Sequence, residues 1–371
     1  MARSPLALTA YFATLHDPRV RRRRRHHLLD IVAIAVCAVV GGADNWVEIA
    51  AFGRRHLDWF KRFLRLPNGI PSHDTFERLF DRLDPQAFGR CLWDWTRALS
   101  AALGVDHIAI DGKALCGSGS EALGPLHVVS AWAARNQLTL GQVAVASKSN
   151  EITAIPKLLE LLDLNGALVT IDAMGCQKNI AKQIVEQGGD YLLTVKDNQG
   201  RLAEDIRACF EKALDTGYAG LDYDEYATAE YGHGRQERRW YTIIRNPSGI
   251  RDREAWAGLR VIGMCYSERG ADGETIPAGR YFIGSAGAGA KRYGRALRGH
   301  WGVENHLHWQ LDIAFKEDAN RTGKRHAAEN LAALRRLAVG LLKRHPGKGS
   351  MATKRKEAGW DVHLLEEILK G

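Results

Sequence analysis

The sequence predicts an α/β protein: a mixed sheet flanked by helices, interrupted by a β-strand insertion and preceded by a helical domain. Three observations carry this. Residues 1 to about 100 place apolar side chains at helical spacing; from Val105 short apolar strands lead into alternating helix and strand; between Gly217 and Ile283 the helical period lapses into strands separated by glycine-rich turns.

In the first part the spacing predicts helices over Leu28–Val40, Asn45–Phe63, Ser72–Leu83 and Pro85–Leu103. Ser72-His73-Asp74-Thr75 after Pro71 is a helix start, and Asp84-Pro85 punctuates the next helix. The second part reads as three consecutive strands, His107–Asp111, His127–Ala133 and Leu138–Ala146, followed by a helix (Ala154–Leu164), a strand (Ala167–Asp172), a helix (Gln177–Gln187) and a strand (Asp190–Val195). That order is the order of a ribonuclease-H-like core, in which ligands collect at the carboxyl ends of strands. The insertion shows strands at Tyr226–Tyr231, Gly234–Arg245, Gly258–Tyr266 and Arg280–Ile283. A helix over Lys291–Phe315 and an amphipathic helix over Ala327–Lys343 complete the core. The expected division is therefore 1–103 helical domain, 104–216 first part of the core, 217–286 insertion, 287–345 second part of the core and 346–371 C-terminal tail.

Composition narrows the partner. Fifty-two Lys and Arg against 43 Asp and Glu leave a charge of +9 in 371 residues, which suits a polyanion better than a neutral metabolite. The six cysteines are widely spaced, so neither a zinc site nor a secreted disulfide framework is indicated, and a reducing cytoplasm is the expected compartment. The apolar run Leu28–Ala43 follows five arginines, Arg21 to Arg25, but Asp30 breaks it and it is short of the roughly 20 residues of a bilayer span. A buried helix is expected there, with no membrane association. The arginine run either meets DNA phosphates or is a solvated basic tail.

Asp111 ends the first core strand and Asp172 the fourth, while Glu304 lies on the helix that follows the insertion. Clustered carboxylates need a cation, and hard oxygen ligands select Mg²⁺ or Mn²⁺. Two such ions about 3.5 to 4 Å apart serve in-line attack on a phosphodiester. Each acid also has a plainer reading. Both aspartates suit turns after strands, and Glu304 suits a helix-surface charge with His300 and His308 on its face. Asp312, Glu317 and Asp318 compete for the third ligand position.

Lys113 and Lys196 follow strands that end near these acids and are candidates for phosphate contact or for simple pairing with a carboxylate. In the insertion, Arg235, Glu237 and Arg239 alternate onto one face of a basic hairpin. Trp301 and Trp309 are eight residues apart on the predicted helix, placed either for core packing or for stacking on a displaced base.

Ile110-Asp111-Gly112-Lys113, Glu151-Ile152-Thr153-Ala154-Ile155-Pro156, Ile171-Asp172-Ala173-Met174-Gly175-Cys176-Gln177, Val195-Lys196-Asp197-Asn198-Gln199 and His300-Trp301-Gly302-Val303-Glu304-Asn305 with His308-Trp309 resemble the H-repeat-associated branch of insertion-sequence DDE transposases. The likeness spans nearly the whole chain, and Gly69-Ile70-Pro71-Ser72-His73-Asp74-Thr75-Phe76 is similar to the helical domain associated with that catalytic domain. The resemblance implies a ribonuclease-H-like core with a β insertion, two Mg²⁺ (or Mn²⁺) ions on Asp111, Asp172 and Glu304, and cleavage and strand transfer at terminal inverted repeats. Double-stranded DNA, both repeat ends and target, is the implied partner; Lys113, Lys196, Arg235, Arg239, Arg298, His300 and Trp301 are the expected contacts from their own placement and chemistry, not from the family's pattern. A nucleoid-associated cytoplasmic location and a homodimer in the DNA complex follow. Where the broader transposase group places Tyr, Arg and Lys around its glutamate, this chain holds Leu297, His300 and Leu311, with Arg298 and Lys316 the nearest substitutes. A nuclease that cuts without joining and a decayed relative that only binds DNA are the alternatives.

Overall fold

The computed structural model describes residues 8–100, 104–119, 124–145, 151–232, 235–271, 274–323 and 326–370. The chain forms two compact units, one of residues 1–105, 112–150 and 303–371, the other of residues 106–111 and 151–302.

In the first unit the helix Leu28–Val40 is apolar on all sides, and 12 of its 13 residues are buried. An all-round apolar helix belongs in a core. Its one acid, Asp30, is satisfied there by the backbone N–H groups of Arg65 (3.3 Å) and Leu66 (3.0 Å). The next helix, Trp46–Arg55, starts at Asn45, whose side chain accepts the Glu48 N–H while Glu48 accepts the N–H of Asp44, a reciprocal cap. Helices His73–Phe80 and Pro85–Ser100 follow; the predicted end of the latter, at Leu103, lies outside the described residues.

The helix Ala327–Arg344 is the unit's central post, buried over most of its length. Asn330 on it donates to the carbonyls of Phe80 (2.8 Å) and Leu83 (2.9 Å). Residues 346–371, expected as a tail, instead form the helices Met351–Trp360 and Val362–Lys370. Ser350 caps the first through the Thr353 N–H, and Ala358, Leu365, Ile368 and Leu369 are buried. Each helix is short, so only a few apolar positions mark it in the sequence.

Nine strands are ordered β3-β2-β1-β4-β5-β9-β8-β7-β6 in one sheet: β1 His107–Leu115, β2 Leu126–Ala133, β3 Leu138–Val145, β4 Leu168–Ile171, β5 Asp190–Val195, β6 Tyr223–Gly232, β7 Arg235–Arg245, β8 Val261–Ala271 and β9 Glu274–Gly284. The 3-2-1-4-5 part is the ribonuclease-H-like sheet the sequence predicts. In the second unit β1, β4 and β5 run parallel, and β9 pairs antiparallel with β5 from Leu192↔Gly284 to Val195↔Tyr281. The insertion therefore continues the core sheet through β9. Phe282 on β9 lies over Gly263 of β8, where a Cβ would have no room. The helix Ala290–His300 packs Ala290, Tyr293, Ala296 and Leu297 against Leu168, Leu192, Tyr241 and Phe282 of the sheet.

The helix Gly200–Asp215 was not expected. It buries Leu202, Ile206, Phe210 and Ala213 at helical spacing, a signal present in the sequence, and ties down Arg251 through Asp205 (2.7 Å). The predicted helix Lys291–Phe315 breaks at Trp301 into Ala290–His300, a π-helical turn Glu304–His308 and Trp309–Ile313. Gly299 and Gly302, poor helix formers, flank the break. The break and the π-helical turn interrupt the regular helical spacing on which Trp301 with Trp309, and His300 with Glu304, were expected to share a face. Among the described residues no helix is long and apolar enough to cross a membrane, and the six cysteines are free thiols.

Candidate active site

Parallel pairing of β1 with β4 runs from His107↔Leu168 to Ile110↔Ile171. The next residue on each strand is an aspartate. Asp111 and Asp172 therefore occupy neighbouring positions where the pairing ends, at the carboxyl edge of the parallel strands. β1 itself continues to Leu115, so Asp111 is not the strand end that Gly112 suggested; Lys113 and Leu115 are buried and keep the strand going. Asp172 leaves the sheet and caps the turn Ala173–Gly175, its Oδ1 accepting the N–H groups of Met174 (3.1 Å) and Gly175 (3.4 Å). The other carboxylate oxygen takes no part in these bonds. Asn198 and Gln199, just past β5, brace that turn by donating to the carbonyls of Ala173 (2.6 Å) and Cys176 (2.9 Å).

Side chains alternate along a strand, so His107 and Thr170 lie on the same face as the two aspartates. His107 Nε2 is 2.9 Å from Thr170 Oγ1, and His300 Nδ1 is 3.0 Å from the same oxygen. One hydroxyl serves two imidazoles by donating its proton to one and accepting N–H from the other, an arrangement that requires a bare ring nitrogen. Burial pushes both rings down to about 4, His300 adding to the effect on His107 and Asp172 opposing it at His300. A neutral, dehydrated floor thus lies under the acids. Sequence reasoning missed His107 and Thr170 because neither belongs to a recognisable catalytic pattern.

This floor makes stability depend on pH. An unfolded imidazole takes its proton near pH 6.5, while both rings in the fold resist until about 4. Between those values the unfolded chain binds more protons, so stability is full above pH 6.5 and falls as the pH is lowered. Urea unfolding at pH 7 and pH 5 is expected to show a loss on the order of 2 kcal/mol per histidine. His107→Asn/His300→Asn should remove that part of the loss; an identical pH dependence in the double variant would refute a neutral pair.

Glu304 belongs to the other unit and is exposed at the start of the π-helical turn. Turns of this kind are frequent at functional sites. The three competing acids of that unit are already engaged. Asp312 and Asp318 each lie 2.8 Å from Lys113 Nζ, and Glu317 is buried against Arg336 (3.1 Å). Glu304 is in no ion pair with any described residue. Among the described residues no three His, Cys, Asp or Glu side chains stand as a ready metal cluster, so Asp111 and Asp172 form a pair rather than a closed set.

The expected DNA contacts divide by exposure. Lys196 is exposed at the carboxyl edge beyond β5. Arg298 is partly exposed and pairs with Glu230 (3.0 Å). Arg239 is fully buried, paired with Glu230 (3.3 Å) and Glu237. Trp301 lies between cations, with the Arg280 guanidinium 4.3 Å and that of Arg239 5.8 Å from its ring centre, so its indole is spent on cation–π packing. His300 is buried on Thr170. Lys113 is buried between Asp312 and Asp318; burial works to lower its pKa, but the two carboxylates outweigh it and hold the ammonium above the usual lysine value. Arg235 opens β7, and its side chain lies outside the described residues.

A nucleic-acid-processing enzyme of the DDE class is what a ribonuclease-H-like sheet with strand-edge carboxylates defines. The chain belongs to the family described as the transposase DDE domain, which matches residues 105–341, and the DDE_Tnp_1-associated domain matches residues 9–96. YncI of Escherichia coli O157:H7, provisionally named a transposase, is 39% identical over 373 residues, covering 98% of this chain and 94% of that protein. YhhI of Escherichia coli K12, named as H repeat-associated, is 38% identical over 373 residues and 98% of both chains. The piggyBac transposase in its synaptic complex with hairpin DNA aligns at 10% identity with a TM-score of 0.40, over 98% of this chain and 76% of that one, too distant to bear on the residues of the site.

Proposed function

We propose that this DDE transposase cleaves DNA at the terminal inverted repeats of an insertion sequence and joins the freed 3′ ends to target DNA, with Asp111, Asp172 and Glu304 as the metal ligands. The observation that carries it is the register that sets Asp111 beside Asp172 at the carboxyl edge of β1 and β4. The donor set suits hard divalent ions: carboxylate oxygens only, with one Asp172 oxygen outside the turn it caps. Bound there, two Mg²⁺ or Mn²⁺ ions would supply activation of the attacking oxygen and neutralisation of the leaving one.

The chain's own residues do the rest. The Met174 and Gly175 N–H groups hold Asp172 in one orientation, and the Asn198 and Gln199 side chains hold that turn. The uncharged His107–Thr170–His300 set excludes water beneath the acids without placing a competing cation there. Lys196, Arg298 and Arg235 are the residues proposed to meet DNA phosphates. Lys113, Arg239, His300 and Trp301 act as internal supports, because their polar groups or ring faces are turned to protein partners.

Purified protein incubated with Mg²⁺ and a duplex bearing the element's end should yield nicked ends, and a pre-cut end with a free 3′-hydroxyl should yield joined products. Nicking without joining would make the protein a nuclease. Binding without nicking would make it a decayed relative.

A further inference from the structure

The helical domain holds a second charged feature, built from residues other than the carboxylates and their neighbours. A cavity of about 550 Å³ is lined by Arg19, Arg25, Ser72, Thr75, Arg78 and Arg82, together with His26. Its arginines come from two places in the chain: the segment before the helix Leu28–Val40, and the helix His73–Phe80 with the turn after it. Arg19 is locked in place by Asp17 (2.9 Å to each oxygen) and by the His26 carbonyl (2.8 Å). Arg25, Arg78 and Arg82 are exposed and form no ion pair with any described carboxylate. Three like charges around one hollow repel each other unless an anion joins them.

Two further observations point to a phosphate. Ser72 sits at the N-cap of the eight-residue helix His73–Phe80 without capping it; its Oγ lies instead 3.1 Å from Thr75 Oγ1, so two hydroxyls stand at a helix N-terminus, where an anion is favoured. The Nδ1 atom of His26 is buried with no hydrogen-bond partner among the described residues; burial lowers the pKa of this ring against a backbone hydrogen bond at Gly69, and Arg19 lowers it further. A water in the shell of a bound phosphate would satisfy that nitrogen whichever tautomer the ring holds. Guanidinium forks match phosphate oxygens in pairs.

The feature is longer than one phosphate. A neighbouring cavity of about 770 Å³ shares His26 with it and has Arg21, Arg24 and Arg65 in its lining, beside Asp17, Asp30 and apolar residues such as Leu15 and Phe63. Exposed arginines of the 21–25 segment thus line both hollows, which suits a polymer of phosphates better than a single one. We propose that Arg25, Arg78 and Arg82, positioned by Arg19 and aided by Ser72 and Thr75, grip the phosphodiester backbone of duplex DNA in the helical domain. This deepens the transposase reading and rests on it: the site holds the substrate far along the chain from the acids that would cut it.

The test is anisotropy of a fluorescein-labelled 30-base-pair duplex of arbitrary sequence with the full-length protein in EDTA, across a range of NaCl. The slope of log affinity against log salt counts the phosphates neutralised. Arg25→Gln/Arg78→Gln/Arg82→Gln should flatten that slope by about 1 to 3 and weaken binding roughly tenfold or more at moderate salt. The matching triple Lys variant keeps the charges and should restore the slope. An unchanged slope in the Gln variant, or an equal loss in the Lys variant, overturns the proposal, the latter because it would report damage to the fold. Inorganic phosphate at matched ionic strength should displace the duplex no better than chloride does; selective displacement would make this a pocket for free phosphate and overturn the assignment to DNA. The outcome is separate from that of catalysis: the isotherm is read in EDTA, where no metal-dependent cleavage occurs, and a wild-type protein that binds no duplex at all would sink the transposase reading itself.

Discussion

Asp172→Asn is expected to abolish strand cleavage, a loss of a thousandfold or more, or about 4 kcal/mol of transition-state stabilisation. The substitution is nearly isosteric. Asparagine keeps a carbonyl oxygen that can accept the Met174 and Gly175 N–H groups now held by Asp172 Oδ1, so the turn and the sheet edge should survive. What it removes is the negative charge and the second hard oxygen. A nicking assay at saturating DNA, beside a thermal melt and a binding isotherm, separates lost chemistry from lost folding. Asp111→Asn should do the same, because the register makes the two residues equivalent neighbours. Glu304→Gln is the sharper trial. Asp312, Asp318 and Glu317 are engaged with Lys113 and Arg336, so none of them is expected to substitute for it. Wild-type cleavage by any of these three variants would remove that residue from the proposed ligand set.

The largest stability effect is expected at Glu317, whose side chain and that of Arg336 are both 0% exposed and 3.1 Å apart. Arg336 also donates to Ser130 Oγ (3.0 Å) and to the Ala332 carbonyl (3.2 Å). Glu317→Ala would leave a guanidinium in the core without its counter-charge, a cost of about 3 to 5 kcal/mol. For a unit of this size that is a fall in Tm of roughly 10 °C. Glu317→Leu/Arg336→Met should recover much of the loss, since the penalty comes from the unpaired charge and not from absent attraction. Urea unfolding monitored by circular dichroism would read both, and a Glu317→Ala variant within about 1 kcal/mol of wild type would contradict the burial. The consequence reaches function through the chain. Glu317 anchors the segment just beyond Glu304, and its neighbours Asp312 and Asp318 hold Lys113 of β1.

Much of this could be read without coordinates. Strands with period-two or continuous apolar runs, such as β4 and β5, were legible because burial on both faces leaves an unbroken apolar run. The basic balance and the strand-edge aspartates were legible too. Element ends were less so. Gly112 suggested that β1 stops, but Lys113 pairs with acids some 200 residues away and the strand runs on. The helix through Glu304 was expected to be continuous, yet flanking glycines break it, and helical spacing alone cannot register a break of one turn. The helix Gly200–Asp215 carries an apolar stripe, Leu202, Ile206, Phe210 and Ala213, diluted by the charged residues between them.

The sequence by itself determined the type and order of most elements, the apolar runs that lead into the two aspartates, and that the chain carries an excess of positive charge. Local period, turn chemistry and composition are properties of neighbours along the chain. Only the tertiary structure decided which charges are spent and which are available: Lys113 on Asp318, Arg336 on Ser130 and Glu317, His300 on Thr170, and Arg25 lining one hollow with Arg78. Burial and pairing depend on groups brought together across 19 to 206 residues of chain, and a side chain's charge state and reach are set by that company rather than by its place in the sequence.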